Sequence, residues 1–424
     1  MLDLHVIRTL EDAGRPFQLH YQGGALNALI GHARRVSPWW REWLAPPPGV
    51  PGVPLKEMRL LEREDFRAAV EAGGPLPLPH SHGAVRENAS SGSSGVPVKF
   101  FVSELAGRIV DACFFDDHRR HGRDLRQKAA ALLTRFAPHP GVPHRLLPAD
   151  PLQGIGPIAT RRSQDRPVRE HAAWLRAVDP VYLNTSPTVL AGMLDAYEAG
   201  ETRPSNLRQV LSIGETVTPS LRRRTRELLG ASIRDRYSCE EIGPIALQCP
   251  HDTSDEPPLH TCIASVIVEV VDEAGQACAP GVPGRVLVTA LHHWASPAIR
   301  YDIGDVAALA PQCTCGAQVP TLTRLLGRKR FLIRLPSGER KLLKLDARQW
   351  LSVAPVREYR VTQHAMQSVR AELVMDRELT QQEHEAALKL LREEVHPEFQ
   401  FEVVRVKKID WQTGAKRQDV VSLV

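Results

Sequence analysis

The sequence predicts an α/β protein, with a large layered N-terminal domain that includes a β-rich lobe and a small α+β C-terminal domain. Between about residue 100 and residue 240, short apolar strands alternate with helices, a pattern typical of layered domains with largely parallel strands. After about residue 260, strand-like segments at 266–271 and 285–290 flank a Gly- and Pro-rich turn, which predicts a separate β-rich lobe. Past residue 328 the order strand, strand, helix, strand predicts the small domain. We therefore predict domains at 1–327 and 328–424.

The individual elements follow from hydrophobic periodicity and from proline breaks. The N-terminal region predicts helices at 26–44 and 62–72, separated by a connector rich in proline. Further helices are predicted at 109–120, 170–177, 190–199, 221–229 and 380–395. Strands are predicted at 129–137, 181–184, 210–213, 233–237, 361–362, 370–375 and 399–409.

Bulk composition limits the classes of function. The 424 residues are 42% hydrophobic and 24% charged, which is ordinary for a globular protein of two or three domains. The net charge of +5 is dispersed, so we expect small anions such as nucleotides rather than nucleic acid as partners. The chain has neither a run of about 18 apolar residues nor the pattern of a signal peptide, so we expect a cytoplasmic protein without a membrane partner. The seven cysteines are not arranged like the disulfide framework of a secreted protein, which fits that expectation.

A Ser/Gly stretch carries the first functional signal. It comprises Ser90, Ser91, Gly92, Ser93, Ser94 and Gly95, and it is followed by Val-Pro-Val and Lys99. Glycines permit backbone N–H groups to converge on an anion, and serine hydroxyls add donors, so the stretch is suited to hold phosphates. A flexible linker has a similar composition. The stretch also lacks the Gly-Lys-Ser/Thr that ends the phosphate loop of common NTPases.

The stretch resembles the signature loop of the adenylate-forming enzymes, roughly Ser/Thr-Ser-Gly-Ser/Thr-Thr-Gly-x-Pro-Lys. One extra residue, Val98, precedes Lys99 in this chain.

Two further segments resemble the elements of that family around the adenine. Gly214 and Glu215 match its Gly-Glu, and residues 235–241 match its Tyr-Gly-x-Thr-Glu with Ser238 in place of the glycine. The resemblance implies that Tyr237 stacks on adenine and that Glu241 holds Mg²⁺.

Three later motifs follow in the order of the family. Residues 299–305 resemble its Tyr-x-Thr-Gly-Asp, which implies that Asp305 accepts hydrogen bonds from the ribose hydroxyls. Gly327 and Arg328 resemble the Gly-Arg that closes the large domain, where the arginine reaches ribose or phosphate. Residues 410–417 resemble the C-terminal loop with the adenylation lysine, which implies that Lys416 bridges the substrate carboxylate and the α-phosphate.

The chain most resembles the phenylacetate–CoA ligase branch of this superfamily, some of whose members carry a structural zinc. Zinc takes four nitrogen or sulfur ligands in a tetrahedron. The resemblance implies that Cys249, His260, Cys313 and Cys315 are these ligands, with His251 and Cys262 as alternatives for the second position.

The resemblance implies an acid–thiol ligase that uses ATP and Mg²⁺ to convert a small carboxylic acid into an acyl-adenylate. The thiol that accepts the acyl group is CoA or the phosphopantetheine arm of a carrier protein. Another nucleophile, such as an amine, stays open as the acceptor. The C-terminal domain of the family is a mobile lid that rotates between the half-reactions, but here Phe331 replaces its hinge aspartate.

The acid pocket is expected around the helix that follows the loop and the strand near residue 182. Its candidate residues are Phe115, His118, Tyr182, Asn184 and Thr185, and the aromatic residues favour an aryl or arylacetic acid. The charges at 119–121 are expected to form a solvated helix face, and the alternative that they favour a more polar acid stays open. Two other classes stay open, namely a zinc-stabilised nucleotide-binding protein without activity and an unrelated kinase that would release ADP. A homodimer also stays open.

Overall fold

The computed structural model of the chain describes residues 2–46, 54–90, 98–133, 158–162, 166–328, 333–338, 340–341, 343, 345, 347–409 and 419–424. The helices are α1 (Leu2–Asp12), α2 (Arg15–Val36), α3 (Pro38–Trp43), α4 (Arg63–Gly73), α5 (Glu104–Arg120), α6 (Val168–Val178), α7 (Pro187–Glu198), α8 (Pro219–Leu229), α9 (Ala347–Val353) and α10 (Gln381–Glu394). The first strands are β1 (Val85–Ala89), β2 (Lys99–Ser103), β3 (Ala129–Leu133), β4 (Ile158–Arg162), β5 (Tyr182–Thr185), β6 (Gln209–Ile213), β7 (Ser232–Cys239), β8 (Gly243–Gln248) and β9 (Leu259–Thr261). The later strands are β10 (Val266–Val271), β11 (Pro283–Ala290), β12 (Tyr301–Ala310), β13 (Thr321–Arg328), β14 (Ile333–Arg334), β15 (Arg340–Lys341), β16 (Glu358–Ala365), β17 (Ser368–Val374), β18 (Gln400–Val406) and β19 (Val420–Ser422).

The chain divides into two compact units. The first contains the described residues up to Leu325 apart from Gly304–Val306. The second contains Gly304–Val306 and the described residues from Leu326 to Val424. The boundary predicted after residue 327 lies close to this division. Among the described residues, no helix has the length and apolar character needed to cross a bilayer.

Eleven strands form one mixed sheet in the order β10-β11-β12-β13-β9-β8-β7-β6-β5-β3-β4. Strands β3 to β7 pair in parallel, as the alternation of strands and helices predicted. The lobe after residue 260 is β-rich as predicted, but the prediction that it is separate is wrong. The turn after β7 returns the chain antiparallel as β8, and β9 continues the ladder, so the later strands extend the same sheet.

Helices α6, α7 and α8 bury their apolar sides against one face of the parallel strands. Leu175, Leu190 and Leu221, one from each helix, belong to a core that also contains Leu183 of β5 and Val210 of β6. The parallel strands end side by side, with Thr185 opposite Ser212 and Ile213 opposite Arg236. This edge is where α/β sheets commonly bind ligands.

The helix predicted at 26–44 is interrupted, and that prediction is wrong. Helix α2 ends at Val36, and Ser37 adopts an extended backbone with φ −129° and ψ 121°. The Ser37 hydroxyl then accepts a hydrogen bond from the Trp40 N–H, which caps α3. Pro38 explains the break, because proline lacks an N–H and is tolerated only in the first turn of a helix.

The second unit has a four-stranded sheet of its own, ordered β18-β17-β16-β19. Strands β16 and β17 form an antiparallel hairpin, and β18 pairs with β17 in parallel after the crossover through α10. Trp350 of α9 and Leu391 of α10 are fully buried with the strands of this sheet. The predicted strand–strand–helix–strand order is therefore confirmed, and β19 adds a parallel edge strand beside β16.

Candidate functional site

Strands β1 and β2 hold the two ends of the Ser/Gly stretch together. Ala89 pairs with Lys99 across the hairpin, and the Ser90 N–H donates to the Val98 carbonyl at 2.9 Å. The Ser90 hydroxyl in turn accepts from the Val98 N–H at 2.9 Å. The predicted phosphate-binding residues Ser91, Gly92, Ser93, Ser94 and Gly95 lie outside the described residues. The hairpin fixes where the stretch begins and ends.

Arg63 of α4 joins this hairpin to the predicted magnesium carboxylate. Its Nη2 donates to the Ser90 hydroxyl at 2.8 Å, and its Nη1 donates to Glu241 Oε1 at 3.0 Å. Glu241 is 6% exposed. Residues far apart in sequence thus meet at one point. Sequence reasoning missed Arg63, because an arginine in the first turn of an ordinary amphipathic helix gives no signal of its own.

Lys99 lies on the exposed side of β2. Its ammonium pairs with Glu87 Oε1 at 3.0 Å, and the lysine side chain is 70% exposed. Val98 and Phe100 are buried on either side of it. Because neighbouring strand residues point to opposite faces, the extra residue Val98 decides the face on which Lys99 lies.

The predicted adenine residues follow the carboxyl ends of two neighbouring parallel strands. Gly214 comes directly after β6 and has φ 79°, a backbone conformation that favours glycine. Glu215 Oε2 accepts from the N–H and the hydroxyl of Thr188 at 2.9 and 2.6 Å, so Glu215 is held against the start of α7. Tyr237 is buried near the end of β7, and Ser238 beside it is half-buried. Adenine contact for these residues stays a prediction.

The remaining predicted nucleotide residues lie in the second unit or outside the described residues. Asp305 is a buried residue of β12, and Arg328 is the last residue of β13. Lys416 and the predicted hinge residue Phe331 lie outside the described residues. The ribose, phosphate and adenylation roles of these residues stay predictions.

The predicted acid-pocket residues are mostly buried. Tyr182, Asn184, Thr185 and His118 are each less than 9% exposed, whereas Phe115 is half-buried. The Tyr182 hydroxyl accepts from the Asp124 N–H at 2.9 Å. His118 lies between two arginines, with ring nitrogens 3.0 Å from Arg123 Nη1 and 3.3 Å from Arg236 Nη2.

The prediction of a solvated charged face at 119–121 is wrong for two of the three residues. Arg120 pairs with Glu11 at 2.8 Å and with Asp116 at 3.1 Å, and its side chain is 18% exposed. The His121 side chain is 1% exposed and lies 3.3 Å from Asp117. Helix α1 and strand β8 pack against α5, and Arg236 of β7 pairs with Asp117, which a helix-periodicity argument cannot foresee.

A buried ion network surrounds Asp117. Arg123 Nη1 lies 2.7 Å and Arg236 Nη2 2.9 Å from the same oxygen, Asp117 Oδ2. Burial raises the pKa of Asp117, but the two guanidinium groups more than offset this and hold that pKa well below its usual range. The guanidinium of Arg236 also lies 4.9 Å from the centre of the Phe114 ring.

Four predicted metal ligands come together. One ligand atom from each of Cys249, His260, Cys313 and Cys315 lies within 4.8 Å of the others. His260 Nε2 is 3.5 Å from Cys315 Sγ. Three of the four residues are buried, and Cys315 is exposed. Three sulfurs and one imidazole nitrogen at this spacing fit a tetrahedral zinc ion.

Neither alternative ligand belongs to this converging set, although the His251 backbone hydrogen-bonds Cys249. Cys262 interacts with Cys113, and His251 is exposed. Burial raises the pKa of the Cys249 thiol to about 12, and burial together with Arg120 lowers the pKa of His260 to about 4. Zinc binds thiolates, so a bound cation would have to offset the burial that raises the pKa of Cys249.

His293 gives a testable pH dependence beside Glu241. Burial lowers the pKa of this fully buried imidazole to about 4, while a hydrogen bond to the Glu241 backbone acts in the opposite direction. The ring is therefore neutral in the folded protein, while the unfolded chain binds a proton below pH ~6.5. As pH falls from about 6.5 to about 4, His293 should cost up to about 1.4 kcal/mol of stability per pH unit.

Urea unfolding across this pH range tests the expectation. The free energy of unfolding of the wild type should fall more steeply with decreasing pH than that of His293→Gln. Parallel slopes for the two proteins would rule out a neutral buried His293.

Comparisons with known proteins agree with this architecture. A family model described as AMP-binding enzyme matches residues 156–292. Among solved structures, 2-hydroxyisobutyryl-CoA ligase in the postadenylation state with 2-HIB-AMP has a TM-score of 0.70 at 16% identity, over 94% of this chain and 88% of that one. The anthranilate CoA ligase AuaEII with anthranoyl-AMP has a TM-score of 0.59 at 14% identity, over 79% of this chain and 64% of that one. O-succinylbenzoate coenzyme A synthetase from Bacillus subtilis with AMP has a TM-score of 0.55 at 16% identity, over 78% of this chain and 67% of that one.

A search of curated protein sequences finds no significant match. The chain therefore has the fold of the adenylate-forming ligases, and its central part matches the family of AMP-binding enzymes.

Proposed function

We propose that this protein activates a carboxylic acid with ATP to an acyl-adenylate, with release of pyrophosphate, and then transfers the acyl group to a thiol. The observation that carries the proposal is the Arg63 bridge between Ser90 and Glu241. It joins the base of a Ser/Gly stretch suited to phosphates to a buried carboxylate suited to a hard cation. Such proximity is what a site for a magnesium–nucleotide complex needs.

Each part of ATP and the acid is assigned to particular residues of the chain. The Ser/Gly stretch holds the β- and γ-phosphates, and Tyr237 with Gly214 binds the adenine. Asp305 accepts from the ribose hydroxyls, and Lys416 orients the carboxylate against the α-phosphate. Mg²⁺, held by Glu241, would offset the charge of the phosphates. Alignment of two bound reactants can contribute on the order of 7–11 kcal/mol to catalysis.

The thiol is proposed to be CoA. In support, 2-hydroxyisobutyryl-CoA ligase, which shares the fold, has been solved with both 2-HIB-AMP and CoA in the thioesterification state, with a TM-score of 0.62. The assembled Cys249, His260, Cys313 and Cys315 set favours the phenylacetate–CoA ligase-like branch and a structural zinc. An aryl or arylacetic acid is proposed from the aromatic residues of α5, Phe114 and Phe115.

Pyrophosphate exchange into ATP over a panel of carboxylic acids tests the proposal. Wild type should exchange with at least one acid and release AMP, and Lys416→Ala should lose about 10²–10³ of the rate, as expected for a lost electrostatic group. Lys389→Ala is the matched control, because this lysine of α10 is 77% exposed and should exchange normally. Absence of exchange with every acid despite ATP binding would favour a binding protein, and release of ADP would favour a kinase.

A further inference from the structure

The ion network around Asp117 has more hydrogen-bond donors than acceptors. Arg123 Nη1 and both Nε and Nη2 of Arg236 converge on Asp117 Oδ2, at 2.7, 3.0 and 2.9 Å. The second oxygen, Oδ1, lies 3.3 Å from His121 Nε2. One carboxylate thus faces two guanidinium cations in a buried site, where unbalanced charge is costly.

His118 cannot accept from both arginines. Its two ring nitrogens face Arg123 and Arg236 at 3.0 and 3.3 Å. A neutral imidazole accepts at one nitrogen only and a protonated one at neither, whereas a guanidinium only donates. At least one of these N···N contacts is therefore unsatisfied.

A second observation points to a missing acceptor. Arg123 Nη2 is buried and has no hydrogen-bond partner among the described residues, and the side chain of Arg123 is fully buried. Its Nε is fixed by Gln209 Oε1 at 2.8 Å, which limits how the guanidinium can turn. The network therefore lacks one negative charge and at least one acceptor.

The network borders the expected acid pocket. Arg236 of β7 lies opposite Ile213 of β6. The next residues along these two strands are Tyr237 and Gly214, both predicted to bind adenine. The Arg236 guanidinium lies over the ring of Phe114 of α5, 4.9 Å from its centre. The Tyr182 hydroxyl accepts from the N–H of Asp124, the residue after Arg123. His118, one of the predicted acid-pocket residues, contacts both arginines. An acid bound in that pocket would therefore lie near them.

We propose that the acid substrate carries a second anionic group, remote from the reacting carboxylate, which binds Arg123 and Arg236. This inference rests on the proposed adenylation, and it narrows the substrate class to dicarboxylic acids, including aryl acids with an acidic substituent. Guanidinium groups bind carboxylates by paired, charge-assisted hydrogen bonds. The reacting carboxylate still attacks the α-phosphate and displaces pyrophosphate, while the second group stays unchanged.

Pyrophosphate exchange with matched acid pairs tests the inference. Suitable pairs are phenylacetate with carboxyphenylacetate, and hexanoate with adipate. The diacid of a pair should have at least about tenfold higher kcat/KM, since a site that binds a polar group rejects the analogue without it. Arg236→Met should abolish this preference, whereas Arg223→Met should keep it, because Arg223 is an exposed arginine of α8.

Thermal unfolding of the wild type gives a second readout that does not depend on a folded variant. The diacid should raise the unfolding midpoint more than the monoacid and more than an equal concentration of chloride. An equal effect of chloride would identify a structural ion site and overturn the inference. A preference for monoacids would overturn it as well and leave adenylation standing, whereas no exchange with any acid would overturn both.

Discussion

Replacement of Cys249 by serine should abolish stoichiometric zinc binding and lower the free energy of unfolding by about 3 kcal/mol or more. Cys249 is fully buried, and its sulfur belongs to the four-residue metal set that also contains His260. Serine is a poor zinc ligand. Structural zinc contributes its binding free energy directly to folding, and the apparent binding free energy is about 10–16 kcal/mol in zinc-finger peptides. Metal analysis of purified protein and thermal unfolding with and without a chelator provide the measurement.

Cys278→Ser is the matched control for the metal site. Cys278 is half-buried between β10 and β11 and is outside the metal set, so its replacement should leave the zinc content unchanged. A wild type that contains no zinc and whose unfolding does not respond to a chelator would disprove the metal centre. The proposed adenylation would survive that result, because none of its proposed residues is a zinc ligand.

Asp117→Ala should lower the free energy of unfolding by about 3–5 kcal/mol, the cost expected when one partner of a buried ion pair is removed. Arg123 and Arg236 would then keep their charges inside the protein without the only carboxylate that contacts them directly among the described residues. Asp117→Asn retains a hydrogen-bond acceptor but not the charge, so it should give a smaller loss. Urea unfolding of the three proteins at neutral pH measures the difference.

Asp124→Ala controls for the loss of an aspartate near the same arginines. Asp124 pairs with the exposed Arg126 at 3.0 Å, so we expect little change in stability. If Asp117→Ala were as stable as this control, the network would contribute nothing to the fold. Added anions that partly restore the stability of Asp117→Ala would instead indicate that the arginines accept a substitute for the carboxylate.

Much of the fold could be predicted because its signals are local. The alternation of apolar strands with amphipathic helices placed β5, β6 and β7 and their helices to within a few residues. The four proposed metal ligands could be named from sequence because the chain resembles the phenylacetate–CoA ligase branch, some of whose members carry a structural zinc. Their convergence needed the structure, which brings β9 beside β8 and β13.

Long-range pairings explain what sequence analysis could not find. Nothing local links Asp117 with Arg236 or Arg63 with Glu241, because these pairs meet only when separate elements pack. The exposed position of Lys99 depends on strand parity, which is set by the hairpin register rather than by the motif. The join between the parallel strands and the later β-rich strands depends on the antiparallel return at β8.

The order in which the proposed metal ligands occur along the chain has a consequence for biosynthesis. Cys249 follows β8, His260 lies in β9, and the last two ligands occupy the turn between β12 and β13. A ribosome therefore releases a complete set only after most of the large sheet has been translated. If the set holds zinc as proposed, the ion can be bound only after β13 has been synthesised and has paired with β9, well after the parallel strands β3 to β7 are complete.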